Sequence, residues 1–253
     1  MTSRPPGQMP SQSLTGKAAL VTGGARRIGR EIALELAAAG AEVTVTYRKS
    51  RAEAEETIKA IQELGRLAIA VECDVRSQES VRSAICASKN FHGRLDILVN
   101  NAAIFGSAPL DQISLDEWNA VFETNTRGPF LVAREILPHL RTARGRIINL
   151  GSLGGLRAWA GHAHYCASKA ALHMLTLAMA KAFAPDVTVN CVAPGWIDLG
   201  EIDAEASATR FAEKTPMQRN GTAKDVAEAV LFFAANSGFV TGQILSVDGG
   251  LGL

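Results

Sequence analysis

Two rhythms alternate along the chain from Lys17 onward. Short β-branched, apolar runs predict strands at Ala18–Val21, Val43–Tyr47, Ala68–Cys73, Ile97–Asn100, Arg146–Leu150, Thr188–Val192 and Ile244–Val247. Longer stretches between them predict helices at Ile28–Ala39, Arg51–Leu64, Gln78–Phe91, Leu115–Leu140, Tyr165–Phe183 and Ala223–Ala235. In the first of these, Ile28, Ile32, Leu36 and Ala39 form an inward stripe. Gly40 and Gly65 follow their helices, where a left-handed cap is wanted. Strand–helix alternation implies a parallel sheet covered on both faces. Right-handed crossovers then give an α/β, doubly wound sheet of about seven strands. Neither an internal repeat nor a second-domain boundary interrupts 14–253, which read as a single domain. Ala193–Pro216 breaks the rhythm with a Pro-Gly turn and an Ala- and Glu-rich stretch, the pattern of a lid over a site.

Composition narrows the function classes. The chain has 253 residues, 47% hydrophobic and 20% charged, with a net charge of +1. No basic field points to nucleic acid or an anionic membrane, and no apolar run reaches the roughly 18 residues of a membrane span. The four cysteines, Cys73, Cys86, Cys166 and Cys191, lack CxxC spacing and lie in apolar stretches, so buried free thiols in a cytoplasmic protein are expected. The opening MTSRPPGQMPSQS has no signal-peptide core and reads as a flexible tail over 1–13.

The turn Thr22-Gly23-Gly24-Ala25-Arg26-Arg27-Ile28-Gly29 joins the first strand to the first helix. Small residues there admit a pyrophosphate to the backbone, and the helix N-terminus supplies N–H groups and a positive dipole. The sheet is therefore expected to be a Rossmann-type, dinucleotide-binding one. The second strand ends in Arg48-Lys49-Ser50 rather than in an acid, and Glu42 lies at its wrong end. Two cations and a hydroxyl, joined by Arg26 or Arg27, suit a 2′-phosphate and favour NADP(H) over NAD(H).

Tyr165 and Lys169 sit four apart in YCASK and share a helix face. An ammonium beside a phenol is expected to lower its pKa and make Tyr165 a general acid/base. Ser152 ends a strand at its carboxyl edge, where doubly wound folds bind ligands.

With these pieces in place, the chain resembles the short-chain dehydrogenase/reductase family from Lys17 to its end. The resemblance is carried by TGGARRIG, Asp74-Val75, Asn100-Asn101-Ala102-Ala103, Asn125, Ser152, Tyr165-x-x-x-Lys169, Pro194-Gly195 and TGQILSVDGG. It implies that Tyr165 protonates a carbonyl oxygen as hydride arrives from a nicotinamide, while Ser152 hydrogen-bonds that oxygen. Lys169 would bind the nicotinamide ribose, and Asn125 would hold a water linking Lys169 to solvent. Asp74 and Val75 would flank the adenine, and Asn101 and Ala102 the adenosine ribose. Pro194, Gly195 and Ile197 would border the nicotinamide. The resemblance also implies a homo-oligomer, tetramer or dimer, built on the two long helices.

Two details, TGxxxRxG with Arg27 and the Phe105 that follows Ala103-Ile104, resemble pteridine reductases, in which the aromatic stacks a pterin substrate. Those enzymes carry an aspartate where this chain has Ser152. A hydroxyl polarises a carbonyl but is a poor proton donor to a ring nitrogen. Carbonyl reduction, similar to that of 3-oxoacyl-acyl-carrier-protein reductases, is therefore preferred over pterin reduction, with a non-catalytic NADP(H) sensor a further alternative. His162 and His164 have no carboxylate or cysteine at ligand spacing, so a substrate-loop role or plain loop surface is expected rather than a metal. Trp159 and Trp196 are candidates for an apolar substrate wall.

Overall fold

Seven strands pair in parallel into one sheet, in the order β3-β2-β1-β4-β5-β6-β9. The computed structural model describes residues 13–200, 211–236 and 238–253. The strands are β1 (Ala18–Val21), β2 (Glu42–Tyr47), β3 (Ala68–Glu72), β4 (Ile97–Asn100), β5 (Arg146–Leu150), β6 (Thr188–Pro194) and β9 (Ile244–Val247). A two-stranded pairing, β7 (Ile197–Asp198) with β8 (Gly221–Thr222), stands apart from the main sheet and was not legible in the sequence. Its strands are too short to show a periodicity.

Helices cover both faces. α1 (Arg27–Ala38) and α7 (Ala223–Ala235) pack on one, around Ile32, Leu36, Val230 and Phe233. α3 (Gln78–His92), α5 (Gly128–Ala143) and α6 (Ala163–Phe183) pack on the other, around Ile85, Ile136, Leu140 and Met179. α2 (Arg51–Glu63) lies beside β2 and β3 at the sheet edge. Each central strand is buried on both sides, which explains its unbroken apolar run. Gly40 and Gly65 have φ of +106° and +75°, conformations that suit a residue without Cβ.

The expected helix Leu115–Leu140 is in fact α4 (Leu115–Phe122), a wide π-type turn at Glu123–Arg127, and α5. Pro129 has no N–H to give the Asn125 carbonyl, so a regular helix cannot close there. The helix carrying Tyr165 begins two residues earlier than expected, at Ala163. All four cysteines are free, but Cys86 is exposed and Cys166 half-buried, contrary to the expectation that all are buried. Most of the expected tail, and 201–210 of the expected lid, lie outside the described residues.

Asp96 staples the far, amino end of the sheet. Its carboxylate accepts from the Ala18 N–H at 2.9 Å, from Arg94 at 2.7 and 2.6 Å, and from Lys17 at 3.2 Å. Burial pushes its pKa up, but these donors outweigh burial and leave it below the ordinary carboxylate value. A depressed carboxyl contributes stability that is present above its unfolded pKa and lost as pH falls through the folded one. Asp96→Ala is expected to cost about 2 kcal/mol. A fall in the urea midpoint at unchanged slope checks this, and the deficit should shrink in acid.

Candidate active site

At the carboxyl ends of β1, β2 and β4 the sheet opens into a cleft of about 530 Å³. The first turn of α1 forms its floor. The N-cap residue Arg26 supplies no side-chain cap, and no acidic residue occupies the first turn. The dipole end of the helix therefore faces the cleft with no carboxylate in its own first turn. Glycines make the close approach possible. A Cβ on Gly29 would lie 2.3 Å from the Gly23 carbonyl oxygen, and one on Gly24 would lie 2.8 Å from the Val45 side chain. Asn101 fixes the turn from β4, its amide donating to the Thr22 and Gly23 carbonyls at 2.9 and 3.0 Å.

Cations line the outer rim. Arg26, Arg27, Arg48 and Lys49 all border the cleft, with Ser50 beside them. Glu42 is turned away from this rim, its carboxylate accepting from the Leu67 N–H at the start of β3. Asp74, also on the wall, is bound by Arg76, which donates Nε at 3.0 Å and Nη2 at 2.6 Å. That pair holds the Asp74 carboxyl down to about 2. These features fit a dinucleotide bearing an extra phosphate: a helix N-terminus for the pyrophosphate and a cationic rim beyond it.

The inner end of the cleft is the Tyr165 phenol, in the first turn of α6. Lys169, one turn on, is 3% exposed, and its Nζ donates to the Leu150 carbonyl at 2.7 Å. Burial pushes this ammonium down to about 8. Nζ stands 5.8 Å from the centre of the Tyr165 ring. Ser152, two residues beyond Leu150, stands near enough to the phenol for its hydroxyl to favour the ionised form. Its hydroxyl also accepts from the Gly154 N–H at 3.0 Å.

The Tyr165 phenol is raised, not lowered as its spacing from Lys169 led one to expect. Burial is the dominant influence and raises the phenol, and the Ser152 hydroxyl only opposes it. The reason is burial: the Phe105 and Trp159 rings stand against the phenol, and the ammonium gives its hydrogen bond to the Leu150 carbonyl rather than to the phenol.

A family model described as enoyl-(acyl carrier protein) reductase matches residues 23–252. A trihydroxynaphthalene reductase of Colletotrichum orbiculare is 37% identical over 94% of this chain and 90% of its own. A 3-oxoacyl-[acyl-carrier-protein] reductase of Synechocystis sp. is 37% identical over 94% of this chain and 98% of its own. Among solved structures, a short-chain dehydrogenase/reductase from Serratia marcescens superposes with a TM-score of 0.91 at 35% identity, covering 95% of this chain and 100% of that one. A blue fluorescent protein from a metagenomic library, in complex with NADPH, superposes at 0.88 with 36% identity, covering 94% and 99%. The chain belongs to the short-chain dehydrogenase/reductase family.

In this short-chain dehydrogenase/reductase the cleft gathers most of the residues marked in the sequence: Gly23, Ala25, Arg26, Arg27 and Ile28 from the turn, and Arg48, Lys49 and Ser50 from the end of β2. Asp74, Val75, Asn101, Ala102, Phe105 and Tyr165 complete it. Others stand behind it. Gly24 packs on Val45 rather than forming the wall. Pro194 ends β6 and Gly195 and Ile197 follow it, but none of the three lines this cleft; Leu199 does. Asn125 lies in the π-type turn, where its amide exchanges hydrogen bonds with the Ile104 backbone (both 2.9 Å) and donates to Ser168 at 3.1 Å. That side chain is committed to holding the loop after β4.

The sequence reading passed over two residues. Arg76 escaped because only the folded turn brings it onto Asp74. His173, four residues after Lys169, escaped because a histidine in an apolar helix has an ordinary packing explanation. Its Nε2 lies 3.4 Å from the Ser152 nitrogen, and its ring fills the space beside Gly151 and Gly155. Burial, then the Lys169 charge, push it down to about 4, so it is neutral at neutral pH.

Gly29→Ala is expected to displace the α1 N-terminus, since its methyl would also lie 2.5 Å from the Asn101 amide. Affinity for the reduced nicotinamide coenzyme, measured by its fluorescence, should fall by about tenfold or more, with global stability affected less than binding.

Proposed function

We propose that this oxidoreductase reduces a carbonyl to an alcohol with NADPH, with Tyr165 as the general acid. The observation that carries this reading is the Tyr165 phenol in the wall of one coenzyme-sized cleft, with the Ser152 hydroxyl and the Lys169 ammonium buried close to it. When bound, NADPH supplies the hydride. Ser152 and Tyr165 together receive the carbonyl oxygen, and the phenol gives it a proton as negative charge develops there. A phenol raised by burial is held protonated at neutral pH, the state a proton donor needs. Lys169, cationic below about pH 8, supplies the positive charge that steadies the phenolate left behind. The Leu150 carbonyl fixes that ammonium, and neutral His173 adds no competing charge.

Support for NADPH over NADH comes from the cationic rim, the absence of a free acid at the end of β2, and the NADPH held by one structural neighbour. Asp74 does not oppose this, because Arg76 already neutralises it. Pterin reduction has less support. Phe105 stands where a flat ring could meet it, but Ser152, not an acid, faces the phenol.

Tyr165→Phe should lower kcat by about a hundred- to ten-thousand-fold with NADPH affinity retained; near-normal turnover in NADPH oxidation would refute the mechanism. Arg48→Asp should move the NADPH-to-NADH preference, as kcat/KM, by about tenfold or more towards NADH.

A further inference from the structure

Three aromatic side chains gather around the Tyr165 phenol from two different loops. The Phe105 ring stands edge-on to Tyr165 at 4.8 Å and 75°. Trp159 lies nearly parallel to the phenol, at 6.3 Å and 19°. His162 bridges them, 4.7 Å from Phe105 and 6.1 Å from Trp159. Trp159 also lies over the Ser152 turn, since a Cβ on Gly154 would come within 3.2 Å of its ring.

The wall is held in place before any substrate arrives. The His162 Nδ1 is 2.9 Å from the Gly106 carbonyl, and the Ala108 N–H donates to the Gly161 carbonyl at 2.8 Å. Gly106 presses so closely on His164 that a Cβ would lie 2.2 Å from its Nε2. Asn125 grips Ile104 next to Phe105 through both its amide atoms. The HxH pair is thus a clamp between loops. In spite of these restraints Phe105 is 61% exposed, an aromatic face held at the mouth of the site. Trp196 is used differently: it stacks on Phe211 at 4.3 Å and 10°.

We propose that this wall makes the enzyme selective for planar, fused-ring aromatic ketones over flexible acyl ketones. The proposal rests on the carbonyl-reduction reading above and names its substrate class. A rigid flat ring covers Phe105 and gains edge or offset stacking without losing internal rotations. A flexible acyl chain loses its rotations and finds no matching plane. The polar partners at the centre of the wall, Ser152 and Tyr165, suit one carbonyl oxygen. Among the described residues the one carboxylate lining the cleft is Asp74, already held by Arg76 and so not free to serve the nitrogens of a pterin.

The test compares β-tetralone, ethyl acetoacetate and a dihydropterin as substrates of the full chain with NADPH, for the wild type, Phe105→Leu and Trp159→Leu. NADPH binding is followed separately by fluorescence. The wild type should show its highest kcat/KM with β-tetralone. In both variants the ratio of kcat/KM for β-tetralone to that for ethyl acetoacetate should fall by about fivefold, mainly through KM. Higher wild-type kcat/KM with ethyl acetoacetate or with the dihydropterin, or an unchanged ratio in both variants, would overturn the substrate class and leave NADPH-dependent reduction standing. Binding of NADPH with no reduction of either ketone would overturn both readings.

Discussion

A buried ammonium determines the position of everything else at this site. Lys169 is almost wholly removed from water, and a charge so placed needs a partner. It finds the Leu150 carbonyl at the end of β5, a charge-assisted bond worth about 1.5–3 kcal/mol. That bond ties α6 to the sheet edge. Because Tyr165 is one turn before Lys169 and Ser152 is two residues after Leu150, the same bond brings hydroxyl and phenol together. Burial also lowers the ammonium and raises the phenol, so a protonated acid lines the cleft with the ammonium buried behind it.

The coenzyme side is built on a different principle, the exclusion of side chains. Gly24 is pressed on Val45 and Gly29 on the Gly23 carbonyl, so the turn before α1 cannot swell. The Asn101 amide ties that turn to β4. A phosphate bound there would meet backbone and dipole at short range, with arginine and lysine behind. The Asp74–Arg76 pair keeps an acid on the wall without letting its charge repel the ligand.

Between these two sides stand the loops after β4 and β5. They carry the aromatic rings, and their restraints come from residues that look unremarkable in sequence: His162, His164, Gly106 and Asn125. Asn125 owes its position to the wide turn before Pro129, where the helix ladder cannot continue. From the sequence the histidines read as a substrate loop or plain loop surface; their contacts show a brace.

The sequence by itself determined the sheet, most strand limits, the coenzyme turn and the Ser-Tyr-Lys set. Those features are local: apolar period, turn chemistry and spacing on one helix are fixed by residues close together in the chain. Tertiary structure decided what depends on distant neighbours. It broke one long helix in two, set β7 against β8, gave Asp74 its arginine and placed His173 beside Ser152. It also reversed the expected pKa shift of Tyr165. Spacing shows that a lysine and a phenol share a helix face, but only packing shows which carbonyl claims the ammonium and how much water the phenol has lost.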